Sequence, residues 1–197
     1  MNQIEITSER VDELLAELGQ RLEALGARYE IVIVGGAALL ALGFVARTTQ
    51  DVDVVGVDDG AGLAPADPLP GPLVRAKDLV ARDLVIDSEW LNARASDIVR
   101  FGLPLGFFSR CETRGYGPAL VVHFAGRVDL ICFKLHALVD RGAGGKHDED
   151  LSALVPTRDE LLAAARWSTT HDPSPGYRQM LVRALEYLGV ENVDLGS

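Results

Sequence analysis

Two carboxylates, Asp51 and Asp53, flank a single valine, and the pair Gly35-Gly36 lies fourteen residues ahead of them, directly after the aliphatic run Ile31 to Val34. In an extended strand alternate side chains share a face, so the two acids point the same way, about 7 Å apart. Like charges that close repel unless something neutralises them. Magnesium does this well, because it takes one or two carboxylates and completes its shell with phosphate oxygens and water. Glycines at a strand-to-helix turn suit the other end of such a ligand: the bare backbone approaches closely, and amides at a helix start attract phosphate. Taken singly, the glycines are explained by a tight turn and the acids by a solvated strand end. In this order they describe a site for a metal ion and a triphosphate.

Rival chemistries fail on spacing. The chain contains no GxGxxG and no GxxxxGK[ST], which excludes the dinucleotide fingerprint and the P-loop. It contains no GxSxG nucleophile elbow. His123, His136, His147 and His171 form no pair at zinc-ligand spacing. Cys111 and Cys132 sit in apolar surroundings with no CxxC or paired spacing, which excludes a disulfide scaffold and a structural zinc site and suits a reducing cytoplasm.

The elements that must position these residues follow from periodicity. Ser8 predicts a helix N-cap, with Val11, Leu14, Leu15, Leu18, Leu22 and Leu25 at helical spacing and Gly26 as the stop. Residues 30–34 predict a buried strand, 37–42 a short helix closed by Gly43, and 51–57 a second strand. Residues 58–72 hold four prolines, three glycines and three aspartates, and predict a long surface loop. Helices are expected near 73–81 and 88–94, the second opened by Asp87 or Ser88, and strands at 105–108 and 120–124. Helical patterns then cover 130–140, 148–154, 159–167 and 177–188. The fold class is α+β, with strands in the first two-thirds and a helical C-terminal lobe. The expected division is a core over 1–125, including the N-terminal helix, and a lobe over 126–197 that completes the site.

The chain has 197 residues, 48% hydrophobic, with a net charge of −10. That apolar fraction excludes disorder as the main state, and the acidity argues against non-specific nucleic-acid binding. Charge is unevenly spread: residues 71–146 carry a net +3 while the flanking segments are acidic. Arg75, Lys77, Arg82, Arg94, Arg100, Arg110, Arg114 and Arg127 make that middle either ordinary solvated surface or a landing strip for a polyanion. The longest uncharged apolar run, 31–46, has sixteen residues with three glycines, short of the roughly twenty a membrane span needs. The first thirty residues carry seven acids and three bases, the wrong flank for a secretory signal. A soluble cytoplasmic protein without a membrane partner is expected.

GG-x14-DxD resembles the nucleotidyltransferase core of the DNA polymerase beta superfamily. More narrowly, Arg47-Thr48-Thr49-Gln50-Asp51-Val52-Asp53 resembles the RTTxDxD stretch of MenT-like and AbiEii-like toxin nucleotidyltransferases. Phe133-Lys134-Leu135-His136-Ala137-Leu138 is similar to their KLxAL helix, and Lys146-His147-Asp148-Glu149-Asp150-Leu151 to their KDxxDL motif. Trp90-Leu91-Asn92 is similar to a segment of related uncharacterised nucleotidyltransferases.

The resemblance implies a polymerase-beta-type core plus a helical lobe, with Asp51 and Asp53 as ligands of Mg2+. It implies that Gly35 and Gly36, with Thr48 or Thr49, cradle the triphosphate of the donor, and that Lys134 neutralises phosphate charge. Arg47 is expected either to contact phosphate or to pair with an acid. Asp150 is expected as the distal carboxylate, a base for the acceptor hydroxyl or a partner that orients Lys134. Because His147 replaces the motif's first acid, Asp148 is an alternative to it. Asp87 and Asp129 are read as helix caps, and His136 as a core residue or one that supports the site from behind. The implied acceptor is the 3′-CCA end of tRNA, extended with pyrimidines from CTP or UTP so that aminoacylation and translation stop, and the implied protein partner is a cognate antitoxin. The alternatives are transfer to a small-molecule or protein hydroxyl, a non-catalytic nucleotide-binding module, and a structural interaction protein.

Overall fold

The aliphatic run ahead of the glycine pair becomes the central strand of a mixed six-stranded sheet. In this computed structural model, which describes residues 5–142, 144–193 and 195, the chain divides into two compact units. One comprises Met1–Leu103 with Cys111–Ala125, the other Pro104–Arg110 with Gly126–Ser197.

The first unit opens with α1 (Ser8–Ala24), whose apolar stripe Val11, Leu14, Leu15, Leu18 and Leu22 is buried. Its N-cap is Thr7, which accepts from Arg10 N, whereas Ser8 donates to Leu40 O at 3.1 Å. Strand β1 (Tyr29–Val34) leads straight into α2 (Gly35–Ala41), and β2 (Val52–Asp58) returns antiparallel to β1. The register shifts between Val32 and Ile33, so Val54 and Val55 of β2 are both buried and strict alternation is lost.

Beyond β2 the expected loop is partly ordered by the sheet. β3 (Ala64–Pro65) pairs antiparallel with Gly56 and Val57, Ala66 is buried, and α3 (Gly71–Leu84) starts with Pro72 in its first turn. The expected helix over 88–94 is instead a 3-10 turn at Ser88–Trp90, capped by Asp87, followed by strand β4 (Leu91–Asn92). β4 pairs parallel with Val52 and Asp53 of β2, a tertiary pairing that overrides local propensity. A short helix α4 (Asp97–Phe101) follows, and β5 (Glu112–Gly115) and β6 (Leu120–Phe124) complete the sheet in the order β3-β2-β1-β6-β5, with β6 parallel to β1.

The second unit is helical: α5 (Phe107–Arg110), α6 (Arg127–Arg141), α7 (Lys146–Ala153), α8 (Arg158–His171) and α9 (Pro175–Tyr187). The strand expected at 105–108 is not formed. Leu105 is 98% exposed, and Phe107 N donates to Pro104 O in a turn that opens α5. Phe133 stacks edge-on to Trp167, with ring centres 5.4 Å apart. Asp129 is no cap: the N-cap of α6 is Gly126, and Asp129 is fully buried, where Arg110 donates to both carboxylate oxygens at 2.6 and 3.0 Å. Among the described residues no helix is long and apolar enough to cross a membrane.

Candidate active site

The structure brings the glycine turn and Asp53 into one space. Gly35 adopts φ +72°, a conformation that lets the chain leave β1 and enter α2 at once. A side chain there would also meet Asp53: a Cβ on Gly35 would lie 2.6 Å from Asp53 Oδ2. Asp53, half-buried, pairs across the sheet with Val34 on one side and Asn92 on the other. A Cβ on Gly36 would lie 2.7 Å from Thr49 Oγ1. Gly35 is therefore favoured by the turn as well as by close approach, and Gly36 by close approach alone.

The RTT segment wraps the same turn. Thr49 is 2% exposed, held by two backbone bonds to Ile6, and its hydroxyl donates to the Asp51 carbonyl at 3.4 Å. Arg47 Nη1 donates to the half-buried Thr48's carbonyl at 2.9 Å, and its Nη2 lies 3.8 Å from the Cβ position on Gly36. Asp51 sits one residue before β2 and keeps 23% of its side chain exposed. Its Oδ2 accepts from Asn92 Nδ2 at 3.2 Å and faces Arg94 Nη1 at 3.7 Å.

Asn92 and Arg94 also belong to this site, through their contacts with Asp51, and no motif in the sequence gives them a role there. The signal was the Trp90-Leu91-Asn92 stretch, but only the β2–β4 pairing shows what it touches. Both residues line a cavity of about 480 Å³ whose wall includes Lys77, Glu89, Asp67 and Asp97.

Among the described residues no cluster of three or more His, Cys, Asp or Glu side chains is arranged to hold a metal ion. Asp53 beside the glycine turn, with Asp51 two residues before it, nonetheless offers the carboxylate chemistry that suits a hard divalent cation whose remaining ligands are phosphate oxygens and water. Asp51 and Asp53 are the residues that would hold it.

Lys134 and Asp150 lie in the second unit, on α6 and α7. They form an ion pair at 2.6 Å, with Lys134 4% and Asp150 0% exposed. Asp148 is engaged elsewhere, accepting from Tyr187 OH at 2.7 Å and Gly144 N at 3.2 Å. His147 is held neutral, its pKa pushed down to about 4 by burial and by the nearby Lys134 and Arg141 charges. His136 is half-buried rather than in the core: Nδ1 lies 2.8 Å from Ser168 Oγ and 2.7 Å from Tyr177 OH, and burial lowers its pKa.

The cations of the middle segment are largely matched by acids. Arg114 pairs with Asp12 and Glu112, Arg127 with Glu160, Arg82 with Asp83, and Lys77 with Asp78.

The chain belongs to a family of nucleotidyltransferases. The family described as "Nucleotidyltransferase of unknown function (DUF6036)" matches residues 9–143, which include the glycine turn, both carboxylates, Asn92 and Lys134 but stop short of Asp150. No curated protein and no solved structure matches the chain.

Proposed function

We propose that this nucleotidyltransferase moves a nucleoside monophosphate from a nucleoside triphosphate to the 3′ end of tRNA, in the manner of the MenT-like toxins its motifs resemble. The observation that carries the transfer is the 2.6 Å approach between the Gly35 Cβ position and Asp53 Oδ2, because it puts the bare backbone of the glycine turn and an acid of the carboxylate pair side by side. Asp51 and Asp53 hold magnesium together with the triphosphate. Magnesium bound there would supply charge neutralisation on the α-phosphate and the leaving pyrophosphate, and a lower pKa for the attacking hydroxyl. Gly35 and Gly36 admit the phosphates to the backbone, and Thr48, Thr49 and Arg47 border them. Of the two roles open to Asp150, the ion pair supports the partner that orients Lys134 over the base.

The acceptor rests on the resemblance: pyrimidines from CTP or UTP beyond the terminal CCA, loss of aminoacylation, and a cognate antitoxin that restrains the enzyme in the cytoplasm. A second acceptor, a small-molecule or protein hydroxyl, is favoured by one observation, the pairing of the middle segment's cations with acids, which leaves less free positive charge for a polyanion. Incubation with total tRNA, magnesium and each α-labelled nucleoside triphosphate, resolved on a denaturing gel, separates them. A tRNA band labelled from CTP or UTP supports the toxin reading. Label in protein or a small molecule moves the acceptor, and label nowhere overturns the transferase.

A further inference from the structure

We propose that Asn92 is the positioning residue for Asp51, fixing which carboxylate oxygen faces the cation; this rests on the carboxylate site described above. β4 is two residues long, yet it is firmly placed. Trp90 and Leu91 are fully buried, Trp90 Nε1 donates to Lys77 O at 3.2 Å, and the pairing sets Asn92 directly opposite Asp53. Asn92 itself is 4% exposed.

Both ends of its amide are used. Oδ1 accepts from Arg94 N at 3.1 Å, an i to i+2 turn of the kind asparagine favours. That bond fixes the orientation of the amide, since an N–H needs the oxygen, and turns Nδ2 toward Asp51 at 3.2 Å. Asn92 and Arg94 both approach Asp51 through Oδ2. Among the described residues Oδ1 is therefore the oxygen left for a cation. A neutral amide does this without itself adding a charge that competes with the cation.

The turn and the positioning role can be separated, because the turn needs only an acceptor. Asn92→Ser keeps a hydroxyl that accepts from Arg94 N, as serine does in such turns, but it is too short to reach Asp51. The probe is Mn2+ with a non-hydrolysable CTP analogue, followed by titration and by the Mn2+ EPR spectrum, with melting temperature as the check on fold. The expected result is Mn2+–analogue affinity about tenfold weaker, the order of one hydrogen bond to a charged group, and an altered spectrum at a melting temperature within about 2 °C of the parent. Wild-type affinity and spectrum in Asn92→Ser overturn the proposal. Should that variant not fold, Asn92→Asp keeps the size and the oxygen but turns a carboxylate toward Oδ2. It must alter the spectrum, and an unchanged one overturns the proposal. Asp53→Ala is the control for the site itself: if it binds Mn2+ and the analogue as the parent does, the carboxylate reading fails and Asn92 loses its role with it.

Discussion

Replacing Gly35 with alanine tests whether the turn and the carboxylate form one device. Two costs follow from the geometry. Placing an L-residue at φ +72° costs about 1–2 kcal/mol. The new Cβ would also lie 2.6 Å from Asp53 Oδ2, well inside van der Waals contact, so the carboxylate must retreat by most of an ångström. Misplacement on that scale costs about a hundredfold in rate when the displaced group positions reacting atoms. Gly43→Ala isolates the first cost, because Gly43 has φ +74° and nothing within 4 Å of its Cβ position. Both variants are expected to lose about 2–8 °C in melting temperature. Only Gly35→Ala should lose transfer from α-labelled CTP, by about a hundredfold. Near-parental transfer in Gly35→Ala, or an equal loss in Gly43→Ala, refutes the reasoning.

Other predictions address the rest of the molecule. Asp150→Asn breaks the buried pair with Lys134 and should cost about 3–5 kcal/mol in urea unfolding, most of it recovered in Lys134→Met/Asp150→Leu; a loss under about 1 kcal/mol counts against a desolvated pair. Arg94→Gln removes an exposed cation 3.7 Å from Asp51 and should tighten Mn2+ binding by no more than about fivefold; weaker binding would make Arg94 a contributor rather than a competitor. Hydrogen bonds from Arg127 hold the Glu160 carboxyl down to about 2 from an ordinary 4.5. Its folded pKa is depressed, so the stability it adds is present above about 4.5 and is lost as pH falls toward 2. Glu160→Gln keeps a capping-box side chain without the charge. It should melt below the parent at pH 7, with the gap closing across that acid window; a gap that does not vary with pH would exclude the ionic contribution.

The glycine turn, Asp51-Val-Asp53 and the flanking strand were legible because each rests on local chemistry, β-branched runs and glycine where the backbone must turn. The C-terminal helices were legible from their apolar spacing. Two-residue β4 was not, since so short a segment has no periodicity and becomes a strand only by pairing with Val52 and Asp53. Asn92's role was hidden with it. Asp129 resembles a cap in sequence because it stands near a helix start, but its partner Arg110 lies nineteen residues away. Linear charge counts fail for the same reason: Arg114 is matched by Asp12, about a hundred positions earlier.

The most direct measurement supplies the protein with CTP labelled at the α-phosphate and, in parallel, at the γ-phosphate, with magnesium and total tRNA. α-Label is expected to enter tRNA and γ-label to leave as pyrophosphate, with both lost in Asp53→Ala. Transfer of the γ-label, or α-label incorporation that persists in Asp53→Ala, would contradict nucleotidyl transfer at this site.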